Sequence, residues 1–153
     1  MARNYYSEIH LHMVWHTKES SPLLVPEVEA FTHSYIRGKL VNTPGAFIRE
    51  IGGTETHVHL AVTVAPTILI SDLVGKLKGA SSHETNQRFG QNSKPLIWQS
   101  GYGVVSFGTA HLPWVISYIR NQRLHHSRGT VEERLERVTP DEPAAEAEQR
   151  EGP

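Results

Sequence analysis

Between Ser7 and His16 the chain reads SEIHLHMVWH, with Ile9, Leu11, Met13 and Trp15 alternating with His10, His12, Val14 and His16. Period-two alternation sends successive side chains to opposite faces, so this segment is a strand whose apolar face needs a covering layer. The cover is supplied by segments of a different period. Residues 26–40 read as a helix with a proline near its start and Val28, Phe31, Tyr35 and Ile36 as its buried stripe. Residues 46–51 and 57–65 read as two strands joined at Gly52-Gly53-Thr54-Glu55, a hairpin signal, with Pro66 closing the second. Residues 67–89 form a second helix, with Ser71 as its cap and Leu69, Leu73, Leu77 and Ala80 on one face. Residues 96–107 are strand-like with a bend at Gly101-Tyr102-Gly103, and residues 109–126 form a third helix opening near Pro113. Helices interleaved with strands and one hairpin define an α+β sandwich with a mostly antiparallel sheet. A split βαβ, ferredoxin-like arrangement is its simplest form.

A length of 153 residues favours one domain with a real core. Charge divides the chain unevenly. Residues 131–153 hold eight acidic and three basic side chains, leaving twelve basic and eight acidic ones in residues 1–130. The expected organisation is a mildly basic domain, 1–130, followed by a flexible acidic tail, 131–153, whose residues 131–138 can extend a helix, and a basic body permits a nucleic-acid partner. The absence of cysteine excludes disulfides, thiolate zinc sites, iron–sulfur clusters and a cysteine nucleophile. No secretory leader is recognisable, and the longest apolar run, Leu60 to Ile70, is interrupted by Thr63, Pro66 and Thr67 and is too short to span a bilayer. A cytoplasmic protein without a membrane partner is the expectation. No GxxxxGK[ST] or GxGxxG loop is present, so no nucleotide cofactor is expected.

Ten histidines are the place to look for chemistry. His57 and His59 are two apart on a strand, hence on one face, where they are either an exposed pair or two ligands of one metal ion. Tyr118 and Gln122 are four apart on a helix and so lie one above the other, as either a packed tyrosine with a solvated glutamine or a nucleophile beside a ligand. Taken together, two imidazoles and an amide oxygen suit Mg²⁺ or Mn²⁺ acting on a phosphate better than a closed zinc site. A phenol ionises near pH 10 and is a poor nucleophile unless a metal polarises its target. His10, His12 and His16 share one strand face, either near the metal or DNA or, as the favoured expectation, along the exposed side of the sheet. Trp15, Trp98 and Trp114 are expected in the core.

Five segments, HLHMVWHTK, IGGTETHVHLAV, ISDLVGKLKGASSH, WQSGYGVVSF and YIRNQRLHH, stand in this order between Tyr5 and His126. Through them the chain resembles the single-tyrosine HUH transposases of bacterial insertion sequences (IS200/IS605-like), whose relatives include proteins associated with repeated extragenic palindromes. The name refers to two histidines flanking a hydrophobic residue, here His57-Val58-His59. The resemblance implies a ferredoxin-like fold, a homodimer, a divalent metal (Mg²⁺ or Mn²⁺), and a nucleoid-associated bacterial protein. It also implies cleavage and rejoining of single-stranded DNA hairpins at element ends through a 5′-phosphotyrosine. On this pattern His57, His59 and Gln122 are the metal ligands and Tyr118 is the nucleophile. Lys76, Lys78, Arg120, Arg123, His125 and His126 are candidate DNA contacts. Relatives often carry an acidic residue where this chain has Thr56, and a longer basic stretch where it has Lys18-Glu19-Ser20-Ser21. The alternative to a cutting enzyme is a domesticated, non-cleaving binder of palindromic single strands.

Overall fold

The computed structural model describes residues 5–91 and 94–138. Four strands, β1 (His10–His16), β2 (Ala46–Gly53), β3 (His57–Val64) and β4 (Gly103–Phe107), form one antiparallel sheet in the order β2-β3-β1-β4. Helix α1 (Pro26–Val41) follows β1, and α2 (Ile70–Phe89) follows β3. This is the βαββαβ order of the expected ferredoxin-like sandwich. Three short helices follow β4: α3 (Leu112–Arg120), α4 (Gln122–Arg128) and α5 (Glu133–Glu136). Among the described residues, no helix is long and apolar enough to cross a membrane.

Alternation explains how the sheet divides the molecule. Leu11, Met13 and Trp15 of β1 and Val58, Leu60, Val62 and Val64 of β3 face α1 and α2 and are all buried there. The helices contribute Val28, Ile36 and Leu40 from α1 and Leu73, Val74 and Leu77 from α2. Phe31 and Tyr35, expected on the α1 stripe, are only half-buried, and Thr32 takes the inner position through a 2.8 Å hydroxyl–hydroxyl bond to Thr85 of α2. Leu69 is exposed at the N-cap of α2, and Ser71 makes no cap bond there. The α2 stripe therefore runs through Leu73, Val74, Leu77, Ser81 and Thr85.

The opposite face is covered as well, contrary to the expectation of an exposed histidine row. His10 and His12 are buried, with His12 only 1% exposed: α3, α4 and α5 cover this face of the sheet, and His10 is closed off by Phe107, Thr63 and Thr109. Val115 and Ile119 of α3 pack on Ala61 of β3. Close approach of α3 to β2 is possible because position 52 is glycine: an added Cβ there would press on the Ile119 backbone.

Two boundaries differ from the sequence reading. The strand near residue 100 is shorter, Gly103–Phe107, and Trp98 makes only an isolated bridge to Thr17. The third helix is broken at Asn121 (φ −105°, ψ 27°), so Tyr118 and Gln122 lie on successive helices α3 and α4. The packed chain also continues past residue 130. Leu135 is buried, Arg134 donates to the Ser106 carbonyl at 2.6 Å, and the Arg137 backbone lies against Gly103. The rest of the acidic stretch, 139–153, is outside the described residues.

Candidate active site

The hairpin between β2 and β3 aims the first histidine. Gly53 adopts φ 155°, Thr54 N–H donates to the His57 carbonyl at 3.0 Å, and Thr54 and Thr56 hydroxyls lie 2.9 and 3.0 Å from His57 Nδ1. His57 Nε2 is thereby turned toward α4, where Gln122 Oε1 is 3.3 Å away and His126 Nε2 3.0 Å away. His59 is two residues on, on the same face and fully buried, with its ring 4.9 Å from that of His57. Its Nδ1 is 2.8 Å from His12 Nε2.

Helix α3 brings Tyr118 to the same place. The side chain is buried, its ring 6.0 Å from the His59 ring and stacked with Trp114 (5.3 Å) and His125 (4.7 Å). Trp114 itself is 51% exposed, so it walls the site instead of filling the core. The Tyr118 hydroxyl donates to Glu136 Oε1 at 2.6 Å and accepts the Glu132 backbone N–H at 2.8 Å. Gln122 Nε2 donates to the Tyr118 carbonyl at 3.3 Å, which turns its Oε1 toward the histidines. All of these groups belong to one chain.

One ligand atom from each of His57, His59, His126 and Glu136 lies within 4.8 Å of the others. Glu136 Oε2 lies 3.0 Å from His59 Nε2, and this fully buried nitrogen makes no well-formed hydrogen bond. A lone pair left unpaired beside two further imidazoles and a carboxylate fits a divalent cation. Burial holds His57 down to about 3 and lowers His59 as well, so both stay neutral, as metal ligands must. Tyr118 is pushed up to about 12, first by burial and then by its bond to Glu136. For Glu136 burial acts upward, and the hydrogen bond it accepts from the Tyr118 hydroxyl acts against it.

The structure thus brings His57, His59, Tyr118 and Gln122 together and adds three residues to them. His126, read from sequence as a DNA contact, is in the cluster. Glu136 was one acid among eight in a stretch read as tail, and nothing in the sequence singles it out. His12 was read as exposed. Of the remaining basic candidates, His125 stacks on Tyr118 and the others lie apart from the cluster. Lys78 donates to the carbonyls of Gln99 and Gly101, both at 2.7 Å, and so holds the bend before β4. Lys76 is exposed beside Lys39 in the groove between α1 and α2. Arg120 bonds Glu50 at 2.5 Å and Arg123 bonds Glu29 at 2.9 Å, yet both side chains remain more than half exposed.

Histidines, a glutamate and a tyrosine gathered on one face of an antiparallel sheet define a candidate active site without naming the kind of protein that carries it. Comparison with known proteins identifies which kind. The family model "Transposase IS200 like" matches residues 5–122, and the chain belongs to that family of transposases. A crystal structure described as a "putative transposase" from Deinococcus radiodurans R1 is similar over 80% of this chain and 96% of that one, with 25% identity and a TM-score of 0.63. A REP-associated tyrosine transposase, solved bound to a REP hairpin, shares the fold at 17% identity over 86% of this chain and 75% of that one, with a TM-score of 0.57. No curated protein matches the chain.

Proposed function

We propose that this transposase cleaves and rejoins single-stranded DNA through a covalent 5′-phosphotyrosine on Tyr118, with a divalent metal held by His57, His59 and Gln122 and supplemented by His126 and Glu136. The observation that carries this reading is the convergence of the Tyr118 hydroxyl and the buried His59 Nε2 on one carboxylate, Glu136. Three imidazoles among the donors favour Mn²⁺ over Mg²⁺, which prefers oxygen ligands. When bound, the cation polarises the scissile phosphate and offsets the charge that builds on it. The chain does the rest. Tyr118 Oη attacks phosphorus, the P–O3′ bond breaks, and the departing oxygen becomes a 3′-hydroxyl on taking up a proton. The proton leaving Tyr118 has Glu136 Oε1 as its nearest acceptor. Since the phosphotyrosine retains the energy of the phosphodiester, a second 3′-hydroxyl can reverse the step without a nucleotide cofactor.

A hairpin substrate is supported by the REP-associated relative, which was solved on one. Arg120 and Arg123, each more than half exposed although paired with Glu50 and Glu29, flank the Tyr118 helix and can reach phosphates beside the site. The second reading, a non-cleaving binder of palindromic strands, is favoured by one feature. Burial and the bond to Glu136 keep the nucleophile a phenol, against the opposing effect of the Glu132 N–H.

Covalent capture separates the two. Labelled single strands from palindromes flanking the gene are incubated with Mn²⁺ or Mg²⁺ and run on a denaturing gel. A metal-dependent adduct that vanishes in Tyr118→Phe is the expected result. Tight hairpin binding with no adduct under either metal rejects cleavage and supports the binder.

A further inference from the structure

His12 reaches His59 from the neighbouring strand. In the antiparallel pairing of β1 with β3, His12 lies opposite Ala61 and Val14 opposite His59, so the two histidines are diagonal neighbours on the face that carries the site. Their rings are 4.9 Å apart and His12 Nε2 is 2.8 Å from His59 Nδ1. Between two neutral imidazoles that distance means one shared hydrogen, with one ring donating and the other accepting. The two arrangements have opposite consequences. With the hydrogen on His12 Nε2, His59 Nδ1 accepts, and a neutral His59 must then carry its own hydrogen on Nε2, where it blocks a metal. With the hydrogen on His59 Nδ1, Nε2 is a bare lone pair facing Glu136, His57 and His126.

We infer that His12 is a positioning residue: its Nε2 accepts the His59 Nδ1 hydrogen and thereby presents His59 Nε2 to a divalent cation. The inference rests on the metal reading above. His57 is set in the same way by different means, because its Nδ1 faces two hydroxyls able to accept. Burial makes His12 irreplaceable by solvent, since it is 1% and His59 0% exposed. An Nδ1 hydrogen stripped of its acceptor there would have no water to turn to. His10, two residues earlier on the same face, is a natural control. Its ring nitrogens bond the hydroxyls of Thr63 (2.8 Å) and Thr109 (2.9 Å), away from the cluster.

The test is calorimetric titration of the metal-free chain with Mn²⁺, on wild type, His12→Leu, His12→Gln and His10→Gln. His12→Leu fills the space without an acceptor, and its affinity is expected to fall roughly 10–100-fold, the range seen when outer-sphere partners of metal-bound histidines are lost. His12→Gln keeps an acceptor oxygen and should recover most of that loss, and His10→Gln should bind as wild type. Long-range ¹H–¹⁵N spectra of the wild type loaded with diamagnetic Zn²⁺ should show the hydrogen on His59 Nδ1 and none on His12 Nε2. Wild-type affinity in His12→Leu, equal losses in the Leu and Gln variants, or a hydrogen on His12 Nε2 in the loaded protein would each overturn the role of His12 and leave the metal site standing. A wild type that binds no Mn²⁺ removes both. The spectra do not depend on any variant folding.

Discussion

Acidification should unfold this protein through its buried histidines. His12 and His57 are held down to about 3 and His33 to about 4, against an ordinary 6.5, with burial the main cause in each case. All three are neutral in the folded chain at pH 5 to 6 and become cations in the unfolded chain as the pH falls through 6.5. The unfolded state therefore binds more protons in this window, and stability falls as pH falls. Between pH 6 and 5 an unfolded histidine is about 0.9 protonated on average, so each buried one costs about 1.2 kcal/mol and the three together about 3.7 kcal/mol. That is a large share of a typical stability of about 5–15 kcal/mol. Urea unfolding followed by circular dichroism in EDTA at pH 7, 6 and 5 measures the effect. His33→Gln, which leaves the site intact, should recover about 1.2 kcal/mol of the pH 6-to-5 loss. A total loss below about 1 kcal/mol over that interval would refute the reasoning, since it would mean that these rings take up protons while folded.

Three further outcomes are expected. Gly52→Ala places a methyl group 3.0 Å from Ile119 Cγ2 and 3.1 Å from its carbonyl carbon, so α3 must move away from β2. The cost should be about 1–3 kcal/mol in denaturant and, because Tyr118 moves with α3, adduct formation should slow on the order of 100-fold in quenched-flow assays. Glu136→Gln removes a neighbouring negative charge and should bring Tyr118 down from about 12 toward 10, read as the ultraviolet titration that is lost on adding Tyr118→Phe. Saturating Mn²⁺ at about 100 times its Kd should stabilise the wild type by about 2.7 kcal/mol, measured by thermal melting, and His57→Ala should lose that gain.

Much of the fold was legible from short-range pattern. Alternation along β1 and β3 is local physics, and it placed Val58 and Leu60 in one core and His57 with His59 on the other face. The Gly52-Gly53 turn made the hairpin readable for the same reason, since two strands joined by so short a loop have few ways to pair. Helix faces were read less well. Phe31 and Leu69 are apolar at helical spacing, yet position along the helix and the angle of packing left one half-buried and the other exposed.

What only the tertiary structure decided is what lies over the second face of the sheet. The sequence by itself determined that His57 and His59 point the same way, because that follows from a two-residue period. It could not determine that α3, α4 and α5 fold back across them, because that depends on contacts between residues far apart in the chain. Those contacts bury His10 and His12, bring His126 within 3.0 Å of His57, and set Glu136, 77 positions beyond His59, against both His59 and Tyr118. A carboxylate in an acidic stretch looks like solvated charge until the chain turns it inward. The site was readable where its residues lie close in sequence, and hidden where only the fold makes them neighbours.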